Sequence, residues 1–118
     1  GYRNKCRAQQ TESRLMREAA AHKYQSARND LTAEYLSVRE QLANAQRKIT
    51  LYEQQRQLAL DTYQLAVNEF AAGIGSIANV LDVERQLLDY KLKRSEAVAT
   101  YNTVIAMIEN LLSDTQTE

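Results

Sequence analysis

The chain contains no proline, and two of its three glycines fall at positions 73 and 75. Between Thr11 and Ala72 nothing breaks a helix, so a continuous helix there would cover about 60 residues and about 90 Å. The stretch Phe70-Ala71-Ala72-Gly73-Ile74-Gly75-Ser76 interrupts it. Gly73 can take the left-handed conformation that ends a helix, because it has no Cβ to clash. Gly75 adds a second free joint. Ser76 can cap a following helix by accepting a hydrogen bond from an orphan backbone N–H. This order of helix stop, tight turn and helix start predicts that the chain doubles back. The expected architecture is all-α, a long antiparallel coiled-coil helical hairpin in one domain. It has a helix over about 11–72, a turn over 73–76, a helix over about 77–112 and a disordered polar tail over 113–118. Residues 1–10 are expected to be either a frayed end or the first turn of the helix. Ser26-Ala27-Arg28-Asn29-Asp30 is a candidate weak point, since its short polar side chains compete for backbone hydrogen bonds.

Periodicity supports the hairpin. Steps of 4 and 3 from Leu31 reach Tyr35, Val38, Leu42, Ala45, Ile49, Tyr52, Arg56, Ala59, Tyr63, Ala66 and Phe70, with Arg56 the one charge in an apolar seam. The second arm repeats the spacing through Val80, Val83, Leu87, Tyr90, Arg94, Ala97, Tyr101, Val104, Ile108 and Leu111, again with one charge, Arg94. Alternation of 4 and 3 marks a left-handed supercoil. Each arm carries further apolar rows: Leu51, Leu58, Leu65 and Ala72 on the first, and Ile77, Leu81, Leu88, Val98, Ile105 and Leu112 on the second. A two-stranded coil needs one row per helix, so each arm is expected to have a further neighbour. The unequal arms point the same way, leaving about 25 residues of the first helix without a partner in the chain.

Composition excludes several functions. The 15 basic residues balance 15 acidic ones, which does not suggest a nucleic-acid footprint. No apolar run approaches the roughly 18 residues of a membrane span. A chain beginning Gly1-Tyr2-Arg3-Asn4 is expected to be a processed product or an excised piece. No catalytic, cofactor-binding or metal-binding set stands out, and no enzyme activity or cofactor is expected. His22 has only Glu18 at helical spacing, and a solvated surface is the reading preferred over a metal pair. Cys6, between Lys5 and Arg7, has no partner for catalysis or a disulfide. Gly73-Ile74-Gly75 is too short for a phosphate loop and follows no strand. The seam tyrosines are read as interhelical packing.

The tip pattern itself is similar to a known family. Phe70, Gly73, Ser76, Ile77, Val80, Leu81 and Asp82, followed by Gln86-Leu87-Leu88, resembles the periplasmic hairpin tip in the second repeat of TolC-family outer-membrane efflux proteins. Tyr2-Arg3-Asn4-Lys5 and the Gln/Ala/Arg-rich helix after it resemble the descent from that family's barrel strands. The resemblance implies a piece of a trimeric helical duct in the Gram-negative cell envelope, this portion periplasmic, passing exported molecules from an inner-membrane pump to the outside. It implies that a periplasmic adaptor protein docks at the tip, on Ala72, Gly73, Ile74, Gly75 and Ser76. It implies a duct constriction at Asn79 and Asp82, where three copies of Asp82 would form a ring able to bind a cation and select against anions. Asn79 departs from the family's two-carboxylate pattern, Phe70 lacks the hydroxyl of the family's aromatic, and Gly75 offers no side chain to latch neighbouring hairpins. Read from the residue alone, Asp82 is a first-turn charge beside a helix N-terminus, worth about 0.3–1 kcal/mol. The alternative function is a cytosolic or periplasmic coiled-coil scaffold, or an adaptor hairpin, with no channel role.

Overall fold

The computed structural model describes residues 1–117. The protein is an all-α helical hairpin of two helices, α1 (Tyr2–Ala71, 70 residues) and α2 (Ile77–Thr117, 41 residues), with no strand among the described residues. The chain divides into two units, residues 1–37 and 38–118.

The first unit is helical from Tyr2, so residues 2–10 belong to the helix and are not a frayed end. Its ladder opens with the Lys5 N–H donating to the Gly1 carbonyl at 3.2 Å. Residues 1–10 are polar, but none after Gly1 is a breaker, and Ala, Arg, Lys and Gln are good helix formers. Ser26–Asp30 is not a break either. The Gln25 amide donates to Asn29 Oδ1 at 3.0 Å, and the Thr32 hydroxyl donates to the Arg28 carbonyl at 2.9 Å. These i,i+4 bonds follow the helix instead of competing with it. Only Cys6 is partly covered in this unit; Leu31 and Tyr35 are exposed.

The second unit holds the core. Val38, Ala45, Ala59 and Ala66 of α1 and Val80, Val83, Leu87, Ala97 and Val104 of α2 are buried. Between them on the same rows lie half-buried Leu42, Ile49, Tyr52, Arg56 and Tyr63, then Tyr90, Arg94, Tyr101, Ile108 and Leu111. Both seams from Val38 onward are thus the ones the 4–3 spacing predicts. Alanine is frequent at the buried α1 positions, which lets the helices approach closely. Phe70 is the exception, exposed at the last position before the chain turns.

The outer rows stay largely uncovered, although Val98 and Ile105 of the α2 row are half-buried. Leu51, Leu58 and Leu65 on α1, and Ile77, Leu81, Leu88 and Leu112 on α2, are all exposed. No helix of the described residues is long and apolar enough to cross a membrane. Residues 113–117 are helical, contrary to the expected disordered tail; Glu118 lies outside the described residues. Polarity alone does not end a helix that lacks a breaker, and the Thr115 hydroxyl adds a bond back to the Leu111 carbonyl at 2.7 Å.

Candidate functional site

The tip is built by three residues with separate duties. Gly73 has φ of 78°. That left-handed residue lets its N–H reach the Phe70 carbonyl and the Ile74 N–H reach the Glu69 carbonyl, both at 3.0 Å. The pair of bonds is a Schellman stop, and it satisfies carbonyls the helix end would leave orphaned. The Gly75 N–H also donates to Glu69 O at 3.0 Å. Gly75 is needed for space, not as a free joint. A Cβ there would meet Glu69 Cβ at 3.0 Å and Phe70 N at 3.2 Å, whereas a Cβ on Gly73 would meet nothing within 4 Å. Ser76 Oγ accepts the Asn79 N–H at 3.1 Å, and the Val80 N–H donates to the Ser76 carbonyl at 3.3 Å. Ser76 is therefore the N-cap of α2.

This turn leaves Ile74 at 80% exposure, with Ala72, Gly73 and Ser76 open beside it. The tip offers one apolar knob next to a backbone that a second chain can approach closely.

Asn79 and Asp82 lie three residues apart on α2, and both are exposed. With Ser76 as cap, Asp82 is the sixth helical residue. The first turn of α2 contains no acid, so the N-terminal charge reading of Asp82 is corrected, because the helix-end effect fades within one turn. Its nearest cation is Arg85, with Nη1 3.8 Å from Asp82 Oδ1. Glu18 lies 4.0 Å from Arg14. Among the described residues no group of three or more His, Cys, Asp or Glu side chains could hold a metal.

The sequence pattern misses one cluster. Arg56 and Arg94, the isolated breaks of the two seams, meet at one level and share Glu53. Arg56 Nη2 donates to Glu53 Oε1 at 2.7 Å and its Nε donates to Oε2 at 3.1 Å. Arg94 Nε reaches Glu53 Oε2 at 2.8 Å from the other arm. That last contact is ionic and not an aligned hydrogen bond, for Arg94 Nε is enclosed without an aligned acceptor. The hydrogen bond from Arg56 holds the Glu53 carboxyl below its ordinary value, with the charges of Arg56 and Arg94 adding to the effect. The same bond raises the Arg56 guanidinium. Nearby, the Asp89 carboxylate, 2.9 Å from Lys93 Nζ, raises that ammonium above its usual range. Lys93 also lines an open cleft of about 180 Å³ with Lys48, Tyr52 and Glu96. A carboxylate three residues before Arg56 was visible in the sequence. Its meeting with Arg94 depends on the register that the turn sets.

No family model, curated protein or solved structure matches the chain.

Proposed function

We propose that this chain is the periplasmic hairpin of an outer-membrane efflux or export duct of the TolC kind: a passive conduit wall that performs no bond chemistry. The observation that carries the reading is the doubled patterning of each arm. One apolar row is closed inside the hairpin, and a second row, Leu51, Leu58 and Leu65 with Leu81 and Leu88, is left for neighbours. A helix standing in a cylindrical wall needs a neighbour on each side. The exposed tip, Ala72 to Ser76, supports docking of a periplasmic adaptor's own hairpin, with Ile74 as the knob and Gly73 as the point of close approach. In the assembled trimer, Asp82 from each copy would narrow the duct, with Asn79 a turn nearer the tip. The parent protein would sit in the outer membrane of a Gram-negative cell and receive its cargo from an inner-membrane pump.

A second reading, a coiled-coil scaffold hairpin without a channel, fits the same exposed rows, since any neighbouring helix would cover them. Reconstitution of the full-length parent protein in planar bilayers separates the two. The duct reading predicts discrete ion conductance, raised or changed in ion selectivity by Asp82→Ala. Absence of conductance supports the scaffold, whereas a channel indifferent to that substitution keeps the duct and counts against the Asp82 ring.

A further inference from the structure

The zero net charge hides a division. Residues 1–28 carry seven basic and two acidic side chains, and residues 29–118 carry eight basic and thirteen acidic ones. All five arginines of the first segment, Arg3, Arg7, Arg14, Arg17 and Arg28, are separated by sums of 4 and 3 residues. On the helix that these residues form, this spacing confines them to one stripe, an arc of about 100° at about 3.6 residues per turn. Gln10, Ala21 and Tyr24 fill the gaps in the stripe. Glu12, Asp30 and Glu34 fall on the opposite side, as do both lysines of the segment.

Every arginine of the stripe is exposed. Among the described residues only Arg14 has a carboxylate in range, Glu18 at 4.0 Å, a solvent-facing contact of little strength. Counted along the sequence, the stripe keeps the 4–3 register of the seam that α2 covers from Val38 to Ala66. The register thus continues where the side-chain chemistry changes from apolar to cationic.

We infer that this stripe docks an α-helix of another polypeptide that carries Asp or Glu at heptad spacing. Seven residues of a helix rise about 10.5 Å, so carboxylates repeating every seventh residue match Arg7 with Arg14 and the longer steps beyond. The guanidinium fork pairs with a planar carboxylate through two parallel hydrogen bonds, which a lysine cannot do. Ala21 leaves room for a neighbouring backbone. A diffuse attraction to nucleic acid or anionic lipid needs neither a fixed period nor arginine in place of lysine. The inference stands whether or not the chain belongs to a duct.

The test uses the full chain and a fluorescent synthetic helix with glutamate at its a and d heptad positions, read by anisotropy. Duplex DNA and phosphatidylglycerol vesicles are the competing probes. The acidic helix is expected to bind best, with affinity falling as salt rises. Arg7→Glu/Arg14→Glu is expected to weaken binding by at least about tenfold, equivalent to about 1.4 kcal/mol. The charge-matched Lys5→Glu/Lys23→Glu is expected to weaken it far less. The milder Arg7→Lys/Arg14→Lys/Arg17→Lys keeps charge and helix propensity and is also expected to weaken it, which separates lost pairing from lost folding; circular dichroism monitors helicity throughout. The inference is overturned by no binding of the acidic helix, by equal losses in the two double-glutamate variants, by full binding in the lysine variant, or by tighter binding of DNA or vesicles.

Discussion

Gly73 and Gly75 sit two residues apart and resist substitution for different reasons, and this difference can be measured. Gly73 is constrained by its backbone angle, in open space. Gly73→Ala is expected to destabilise by about 1–2 kcal/mol, the cost of a left-handed conformation for an L-residue, and Gly73→Asn to recover part of it. Gly75 is constrained by contact with Glu69 and the Phe70 backbone. Gly75→Ala is expected to destabilise comparably, and Gly75→Asn to recover nothing. Ser76→Ala should cost about 1 kcal/mol through loss of the cap. Urea unfolding midpoints check all three; recovery by asparagine at position 75 would contradict the steric account. At this scale the sequence was legible where a rule is local. Gly73 as stop and Ser76 as cap follow from residue type and position. The close approach at Gly75 did not, because it depends on which atoms the completed turn brings against it.

At the scale of the helices, the seam cluster records how the turn aligns the arms. Two guanidiniums and one carboxylate lie at the same level of an otherwise apolar interface. A register shift would separate Arg94 from Glu53, so the cluster favours the alignment that the turn sets, by the modest amount of a partly exposed ion pair. Its pH dependence has a definite sign. The native carboxyl of Glu53 lies below the ordinary glutamate value of 4.5. Its stabilising contribution is therefore complete above that value and is lost as pH falls through the lowered native one. Glu53→Gln should lower the urea midpoint near neutral pH, and the gap from the parent chain should narrow at an acid pH below the lowered native value. A gap of the same size at both pH values would refute the ion-pair assignment. The 4–3 spacing located nearly every seam position, since burial follows periodicity. It could not pair Arg56 with Arg94, because pairing across arms depends on turn length. Helix ends were legible only at the tip, where glycines mark them. Elsewhere polarity stood in for a breaker: it left residues 1–10 open between a frayed end and a first helical turn, and it misread 113–117 as disordered.

For the whole molecule, the question is what covers the outer rows. Leu51, Leu58 and Leu65 follow one another at intervals of seven residues on the face that α2 does not cover. Such a row costs free energy in water and is stabilised by a neighbouring helix. The doubled pattern was legible in sequence; the identity of the neighbour was not, because leucine rows record the need for a surface without naming it. Sedimentation velocity of the chain over a range of concentrations tests this claim most directly. The account predicts reversible self-association that Leu51→Gln/Leu58→Gln/Leu65→Gln abolishes while helicity is retained. A chain that remains monomeric at every concentration, with those leucines intact, would contradict it.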